Sequence, residues 1–566
     1  MSITVAEDAR IATEDDLEEL ESAGRASLYP DHTKVLVGMS SCGKAAGADD
    51  VYETLTESLS ERDDVEVGKT GCMGFCDREP LVEVIDPGGE SVIYENVSEA
   101  DADAIAGAIE SGRDPAVDAL AARTHEDADH EGNVPHIDEV PFYGAQERVV
   151  LGNSGLVDPE SLEEYVARGG FVALHEAVTE STPATVIQTI KESNLRGRGG
   201  GGFPTGLKWE FIADNDADQK YLICNADEGD PGAYMDRTLL ESDPFAVLEG
   251  MMIGGYATGA DMAYIYVRAE YPLAIERLQN AIGTLREVGL LGEDVFGEGF
   301  DFDVEIKKGA GAFVCGEETA MINSLEGGRG MLRPRSPYPA DEGLWNEPTN
   351  VNNVETFANV PHILRNGNAW YQELSGPENS PGTKLFGLSG HFKRTRCFEL
   401  PLGITLREVV KEYGGGIRGG KRFKACLPGG ASTPYLTADH LDVAMDFDPL
   451  EKVESRLGTA GVTAFDEDTC MLAVSCNVNR FFVRESCGWC TPCREGLQMV
   501  SWLLEKIEAG RGTEDDLTML HDQYRNISGR SFCALAEGAM APLGALLRLF
   551  EEELRDHIRQ GSCPFV

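Results

Sequence analysis

Tyr221-Leu222-Ile223-Cys224-Asn225-Ala226-Asp227-Glu228-Gly229-Asp230-Pro231-Gly232 is an apolar run that ends at once in carboxylates. Tyr221 to Cys224 reads as a buried strand, and carboxylates at the C-terminal end of a strand stand where α/β sheets bind ligands. Asp243-Pro244 follows, with Asp243 placed to cap a helix over Phe245 to Gly254. Strands and helices alternate from about 141 to 350, which predicts one large α/β domain.

Just upstream lies Arg196-Gly197-Arg198-Gly199-Gly200-Gly201-Gly202-Phe203-Pro204-Thr205-Gly206-Leu207-Lys208-Trp209. Glycine runs let backbone N–H groups approach an anion closely, and Arg196, Arg198 and Lys208 add positive charge. The segment suits a phosphate or a dinucleotide; the bland alternative is a flexible loop. Gly197, Gly199 and Gly202 satisfy G-x-G-x-x-G, but the preceding residues, Ala184 to Ser193, read as helix, so this is no ordinary Rossmann turn. Downstream, Lys307-Lys308-Gly309-Ala310-Gly311-Ala312-Phe313-Val314-Cys315-Gly316-Glu317-Glu318-Thr319 again reads as strand, glycine loop and helix start. Glu317 and Glu318 either complement the helix dipole or accept from a ribose diol, and a carboxylate there would repel a 2′-phosphate.

Cys487-Gly488-Trp489-Cys490-Thr491-Pro492-Cys493 is the strongest chemical signal. C-x-x-C-x-x-C brings three thiolates to one side of a tight loop, which suits a cubane with a remote fourth ligand, Cys533; zinc is the alternative. Arg484, Arg494 and Arg530 could offset the cluster's negative charge.

The rest of the chain frames these signals. Residues 1–30 are acidic and read as loose. Between 31 and 112, Lys34 to Met39, Asp64 to Gly68, Leu81 to Ile85 and Ser91 to Tyr94 read as strands, and Ala48 to Leu59 and Glu99 to Glu110 as helices. Residues 113–140 read as a linker, and its histidines, His125, His130 and His136, as solvated. Short strands around a helix at Leu406 to Tyr413 suggest a β-grasp-like module between 355 and 456. Helices dominate 457–566, for example Leu497 to Ile507 and Leu543 to His557.

The net charge of −50 is spread along the whole chain. It excludes nucleic acid as a natural partner and fits adaptation to high salt better than the steering of a basic partner. No apolar run reaches membrane-spanning length, and Met1 to Arg10 is acidic where a signal peptide would be basic, so the expected location is the cytoplasm. Fourteen cysteines in such a chain argue for metal rather than disulfides.

The glycine loop, Cys224 to Gly232, Cys315 to Thr319, Asn352-Asn353-Val354-Glu355-Thr356 and Glu485 to Arg494 together resemble the NADH-binding flavoprotein subunit of respiratory complex I. The same subunit type is the diaphorase of NAD-linked hydrogenases and formate dehydrogenases. The resemblance covers roughly 141–558. It implies an α/β multidomain chain: a Rossmann-like FMN/NADH-binding domain at 141–354, a β-grasp (ubiquitin-like) domain at 355–456 and a helical bundle at 457–566 carrying a [4Fe–4S] cluster. It implies that Gly197, Arg198, Gly199, Lys208, Asn225, Asp227, Glu228, Gly316, Glu317, Asn352 and Asn353 hold FMN. Phe203, Lys208, Phe211, Asp230, Glu318 and Tyr338 would face NADH. Tyr338 stands where phenylalanine is usual, and Asp230 where glutamate is. No side chain need act as acid or base, since the flavin accepts the hydride.

Cys42, Cys72 and Cys76 in the segment 31–112 resemble the ligands of a thioredoxin-like [2Fe–2S] ferredoxin, fused here rather than separate. That ferredoxin uses four cysteines; Gly47 stands near the missing one, and Ser40 or Ser41 could substitute. Cys224, Cys315, Cys397, Cys426, Cys470 and Cys476 read as packing residues. The implied function is NADH oxidation or NAD reduction through FMN and a [4Fe–4S] cluster to a quinone-, hydrogenase- or formate-dehydrogenase-linked partner. A free-standing diaphorase or NADH:quinone reductase is the alternative, and a non-catalytic electron-transfer or assembly module the weaker one.

Overall fold

The computed structural model describes residues 10–112, 115–124 and 134–565. It is a mixed α/β structure built on three five-stranded sheets. The first holds β1 (Thr33–Gly38), β2 (Val65–Thr70), β3 (Val82–Ile85), β4 (Glu90–Tyr94) and β5 (Ala119–Thr124) in the order β2-β1-β3-β4-β5. Only β1 and β2 run parallel. The helices Ala48–Leu59 and Glu99–Ser111 cover one face, where Val51, Leu55 and Ile105 pack on Val35 and Val37. On the other face Leu81, Ile93 and Ala121 share a core with Phe386 and Phe398 of the third sheet.

The second sheet holds β6 (Tyr221–Ala226), β7 (Met262–Arg268), β8 (Gly292–Val295), β9 (Phe300–Gly309) and β10 (Thr349–Asn353), in the order β10-β6-β7-β9-β8. All pairs but β8–β9 are parallel, so both faces need cover. The helix Pro244–Thr258 supplies much of it and is buried at nearly every position. Its N-cap is Asp243, whose carboxylate accepts from the Ala246 N–H at 3.2 Å, as the sequence predicts. The third sheet holds β11 (Thr383–Gly390), β12 (Cys397–Pro401), β13 (Phe423–Leu427), β14 (Leu436–Thr437) and β15 (Gly461–Asp466), in the order β12-β11-β15-β13-β14. Five C-terminal helices between Met471 and Gln560 pack on one another and on Ile223, Tyr266 and Val351 of the second sheet.

Four expectations change. The acidic N-terminal segment, expected to be loose, forms a helix from Glu14 to Leu28 with a Thr13–Asp16 capping box. Its buried residues, Leu17, Gly24 and Leu28, recur at helical spacing, and Gly24 lets its backbone meet the helix Leu162–Ala167. The expected linker contains β5, which completes the first sheet. His125 and His130 lie outside the described residues, and His136 accepts from the Asp138 N–H at 3.3 Å. The helix Val354–Asn366, expected with the third sheet's module, packs in the core of the second sheet, which also takes in Leu385 and Cys397 of the third. The single helix expected over Leu543 to His557 is two, Leu535–Leu549 and Glu551–Gln560, broken at Phe550.

Candidate functional site

Parallel pairing of β10 with β6 sets Asn352 beside Cys224 and Asn353 beside Asn225. Three asparagines therefore meet at the C-terminal edge of the sheet. The Asn225 amide donates to the Gly316 carbonyl at 2.9 Å, and its oxygen accepts from the Asp227 N–H at 3.1 Å. Asn352 accepts from the indole N–H of fully buried Trp209 at 2.9 Å, which fixes the helix Thr205–Ala213 against the sheet. Asn353 caps the next helix by accepting from the Thr356 N–H and donates to Asp236 at 2.6 Å. Asp227 is 9% exposed, and its buried Oδ2 has no donor among the described residues. Burial pushes this carboxyl up to about 7. A buried oxygen without a partner, at the ends of parallel strands, fits an absent polar ligand.

The glycine loop closes on itself: the Gly197 N–H donates to Phe203 O at 2.8 Å and the Thr205 N–H to Leu195 O at 2.9 Å. A side chain on Gly199 would bring its Cβ to 2.9 Å from that of Asn353. Gly202 adopts φ +62°, with the Phe447 ring where a Cβ would point. The loop's arginines are committed elsewhere, against expectation. Arg198 is 1% exposed; its guanidinium donates to the carbonyls of Thr383, Arg196 and Pro381 and to the Tyr371 hydroxyl. Arg196 pairs with Asp448 at 3.1 Å and lies over the Phe447 ring. The glycines let the loop pack closely on Asn353 and Phe447, and the Arg198 side chain is buried against the backbone that leads into the third sheet.

Two carboxylates expected to face a ligand are also taken up within the protein. Glu228 accepts from the Asp236 and Arg237 N–H groups at 3.1 Å each and from the Tyr271 hydroxyl at 3.0 Å. Asp230 accepts from the Ala431 N–H at 2.7 Å and the Ser432 hydroxyl at 3.0 Å, clamping the loop between β13 and β14 of the third sheet. Glu317 caps the helix Glu318–Leu325 through the Thr319 and Ala320 N–H groups, which is the dipole role. Glu318 remains part-exposed and pairs with Lys208 at 3.1 Å. Phe203, Phe211 and Tyr338 stand half-exposed, at 50%, 48% and 55%. Asn215 donates to Ala340 O at 3.3 Å, holding the Tyr338 turn beside the end of the Phe211 helix. Exposed rings next to an ion pair suit the stacking of a planar, charged ligand.

Cys487, Cys490, Cys493 and Cys533 line one cavity with Val314, Leu332, Ser486, Ser531 and Leu535. The four thiols converge although Cys533 lies far along the chain, and this all-sulfur donor set fits a cubane. The Phe532 N–H points at Cys490 Sγ at 3.4 Å, and the Ser486 hydroxyl lies 3.2 Å from Cys493 Sγ. One segment walls both sites: Gly316 is tied to Asn225, while Val314 lines the cysteine cavity. The Phe313 N–H donates to Glu485 at 2.8 Å, and Arg329 donates to Cys487 O at 2.8 Å.

Beside the first sheet the Cys42 thiol hydrogen-bonds with those of Cys72 and Cys76, which together with Arg237 hold it well below the ordinary thiol range. The Arg237 guanidinium lies 3.9 Å from Cys42 Sγ. Ser41 is spent on Glu241, through its hydroxyl at 2.6 Å and its N–H at 2.8 Å. Ser40 Oγ is buried with no partner among the described residues. So is Oε1 of Glu79, a residue outside every sequence motif; its carboxyl is driven up to about 8 by burial and is hydrogen-bonded by Cys72. Among the lone cysteines, Cys224, Cys397 and Cys426 are fully buried packing residues. Cys470 is not of that kind, since its Sγ lies 3.4 Å from His557 Nε2.

Comparisons with known proteins agree with this geometry. Residues 190–362 match the family model described as the Nuo51 FMN-binding domain, and 473–557 match the NADH-ubiquinone oxidoreductase-F iron-sulfur binding region. The chain is 48% identical over 419 residues to the second F-type subunit of the NADH-quinone oxidoreductase of Rhizobium meliloti, covering 74% of this chain and 99% of that protein. It is also 48% identical to the HndC subunit of the NADP-reducing hydrogenase of Solidesulfovibrio fructosivorans, over 74% of this chain and 85% of that one. The solved structure of an NAD+-reducing [NiFe]-hydrogenase in the air-oxidized state superposes with a TM-score of 0.64 at 29% identity, over 96% of this chain and 91% of that one. The nucleotide-type cleft and the four-cysteine cavity thus fall in the segments that these two family models describe, and the chain belongs to the family of F-type subunits of NADH-quinone oxidoreductase.

Proposed function

We propose that the cleft holds FMN and admits NADH, that the four-cysteine cavity holds a [4Fe–4S] cluster, and that electrons leave singly to a partner redox subunit. The observation that carries this reading is the segment Phe313–Glu318, which touches Asn225 on one side and lines the cysteine cavity on the other. A flavin in the cleft and a cubane in the cavity would be separated by one layer of backbone. When bound, FMN supplies the conversion of a hydride into single electrons, and the cubane supplies a one-electron relay.

The chain's own residues bind and orient. Asn225, Asn352, Asn353 and the backbone of Gly197–Gly199 would hold the flavin's polar edge and phosphate, with the unpartnered Asp227 oxygen accepting from it. Arg198 and Glu228 support that frame without facing the ligand, and Asp230 fixes the loop above it. Phe203, Phe211 and Tyr338 would stack on the nicotinamide nucleotide. Glu318, oriented by Lys208, would accept from the ribose diol and repel a 2′-phosphate. Exposed Phe532, tilted against the Trp489 ring beside Cys490, supports a partner docking at the cluster.

The finer architecture belongs to the same proposal. The first sheet and its helices form a thioredoxin-like domain, the second a Rossmann-like domain and the third a β-grasp domain; within the third sheet the strands run 2-1-5-3-4, which supports the last assignment. Cys42, Cys72 and Cys76, with an unpartnered oxygen of Glu79 or Ser40, support a [2Fe–2S] centre in the first domain. Among the described residues no helix is long and apolar enough to cross a membrane, which is compatible with a cytoplasmic protein. The test is an anaerobic optical titration with NADH, with flavin and iron counted on the same sample. Flavin bleaching with one FMN and about four irons supports the core reading, and about six irons adds the first-domain centre. No flavin and no bleaching would leave a cluster-bearing scaffold.

A further inference from the structure

A third cluster of ligating side chains lies away from both sites. Cys470 Sγ, His557 Nε2 and Cys563 Sγ all lie within 4.8 Å of one another, and Cys470 Sγ is 3.4 Å from His557 Nε2. Tetrahedral zinc takes thiolates at about 2.3 Å and imidazole at about 2.0 Å, which sets neighbouring donors roughly 3.5 Å apart. The three atoms are therefore spaced for one ion with little movement.

The imidazole is prepared for this. His557 is fully buried, and its Nδ1 donates to Glu553 O at 2.7 Å. That bond leaves the Nε2 lone pair free and aims it at Cys470, as second-sphere partners of metal-bound histidines do. The Glu553 carboxylate is itself held by the Met471 N–H at 3.2 Å and by Lys424 at 2.7 Å. Lys424 also lies over the Phe565 ring, 4.2 Å from its centroid, which keeps the segment carrying Cys563 in place. Cys470 is the N-cap of the helix Met471–Glu485. The cubane cysteines begin just beyond the other end of that helix, about 22 Å away at the rise of an α-helix, so the two donor sets are distinct.

We propose that Cys470, His557 and Cys563 bind one zinc ion, with a fourth position left to water. Two thiolates and a neutral imidazole balance the charge of Zn2+, whereas the oxygen-preferring Mg2+ and Ca2+ are poorly served by this set. The ion would fasten the segment Gly561–Phe565 to the start of the helix that leads into Cys487, bracing the cluster domain from its far end.

The test is elemental analysis of the full-length holoprotein purified without chelator or added zinc. The expected result is one zinc per chain beside the iron. Cys563→Ser and Cys470→Ser should each lose zinc, by roughly tenfold or more, while iron, flavin and bleaching by NADH persist. Cobalt(II) added to zinc-depleted wild-type protein should give tetrahedral thiolate–cobalt absorption, which Cys563→Ser lacks; this reading does not depend on how well the variants fold. A wild type that binds neither zinc nor cobalt overturns the proposal. So does zinc retained in Cys563→Ser, which would place it in a vacated cubane cavity, and so does a disulfide-linked Cys470–Cys563 peptide.

Discussion

The Phe313 N–H donates to the Glu485 carboxylate at 2.8 Å, joining the loop after β9 to the end of the helix that delivers Cys487. Phe313 also packs edge-on against Phe481 and Phe482. The flavin-side loop and the cluster-side helix are thus one mechanical unit. With the flavin and cluster placed as proposed, the layer between them would be a single turn of backbone, Phe313–Gly316, and this unit would keep the electron path short.

Cys490→Ala should remove the cubane while the cleft survives, since the hydrogen bonds that build the cleft run through Asn225, Asn352 and Asn353 rather than through Cys490. The expected outcome is iron lowered by about four atoms per chain, with FMN and NADH bleaching retained. Loss of FMN together with iron would show that the shared wall collapses without the cluster.

Glu318→Gln keeps the shape of the Lys208 contact but removes the charge. The ratio of kcat/KM for NADH over NADPH should fall by about tenfold, equivalent to about 1.4 kcal/mol. An unchanged ratio would place nucleotide discrimination elsewhere.

Gly199→Ala would push the glycine loop off Asn353. We expect bound FMN to fall by roughly an order of magnitude, the cost of about 1.4 kcal/mol of overpacking, with iron content unchanged. Full flavin occupancy would mean that the loop accommodates a methyl group by moving.

Asp227 carries a pH signature. Its carboxyl is raised from 3.8 to about 7 by burial. Between those values the folded chain holds a proton that the unfolded chain has lost. Stability therefore falls as pH rises through that window, and the full cost, at most about 4 kcal/mol, applies above it. In flavin-free protein, Asp227→Asn should match the wild type in Tm near pH 4 and exceed it by several degrees near pH 8. Parallel Tm curves for the two proteins would refute the assignment.

Lys34 and Glu164 form a buried pair at 2.8 Å, each side chain 3% exposed, tying β1 to the helix Leu162–Ala167. Lys34→Met leaves the carboxylate buried with, among the described residues, the Ser27 hydroxyl and Asp158 N–H as donors. A loss of about 3–5 kcal/mol is expected in denaturant unfolding, largely recovered when Glu164→Leu is added.

The sequence by itself determined whatever depends on neighbours along the chain. The strand at Tyr221, the helix opened by Asp243-Pro244 and the helix Ala48–Leu59 were legible because apolar periodicity and capping are local. The Cys487–Cys493 spacing declared its chemistry for the same reason. Tertiary structure decided which polar side chains stay free. Arg196, Arg198, Glu228 and Asp230 sit in a ligand-binding motif, yet three of them bond to groups more than 180 residues away and Glu228 caps the next helix. It also decided that Cys470 meets His557, 87 residues distant, and that the Asp227 oxygen is left without a donor among the described residues. A buried polar group must find a partner, and which partner lies within reach is set by the packing of whole domains rather than by the residues on either side of it.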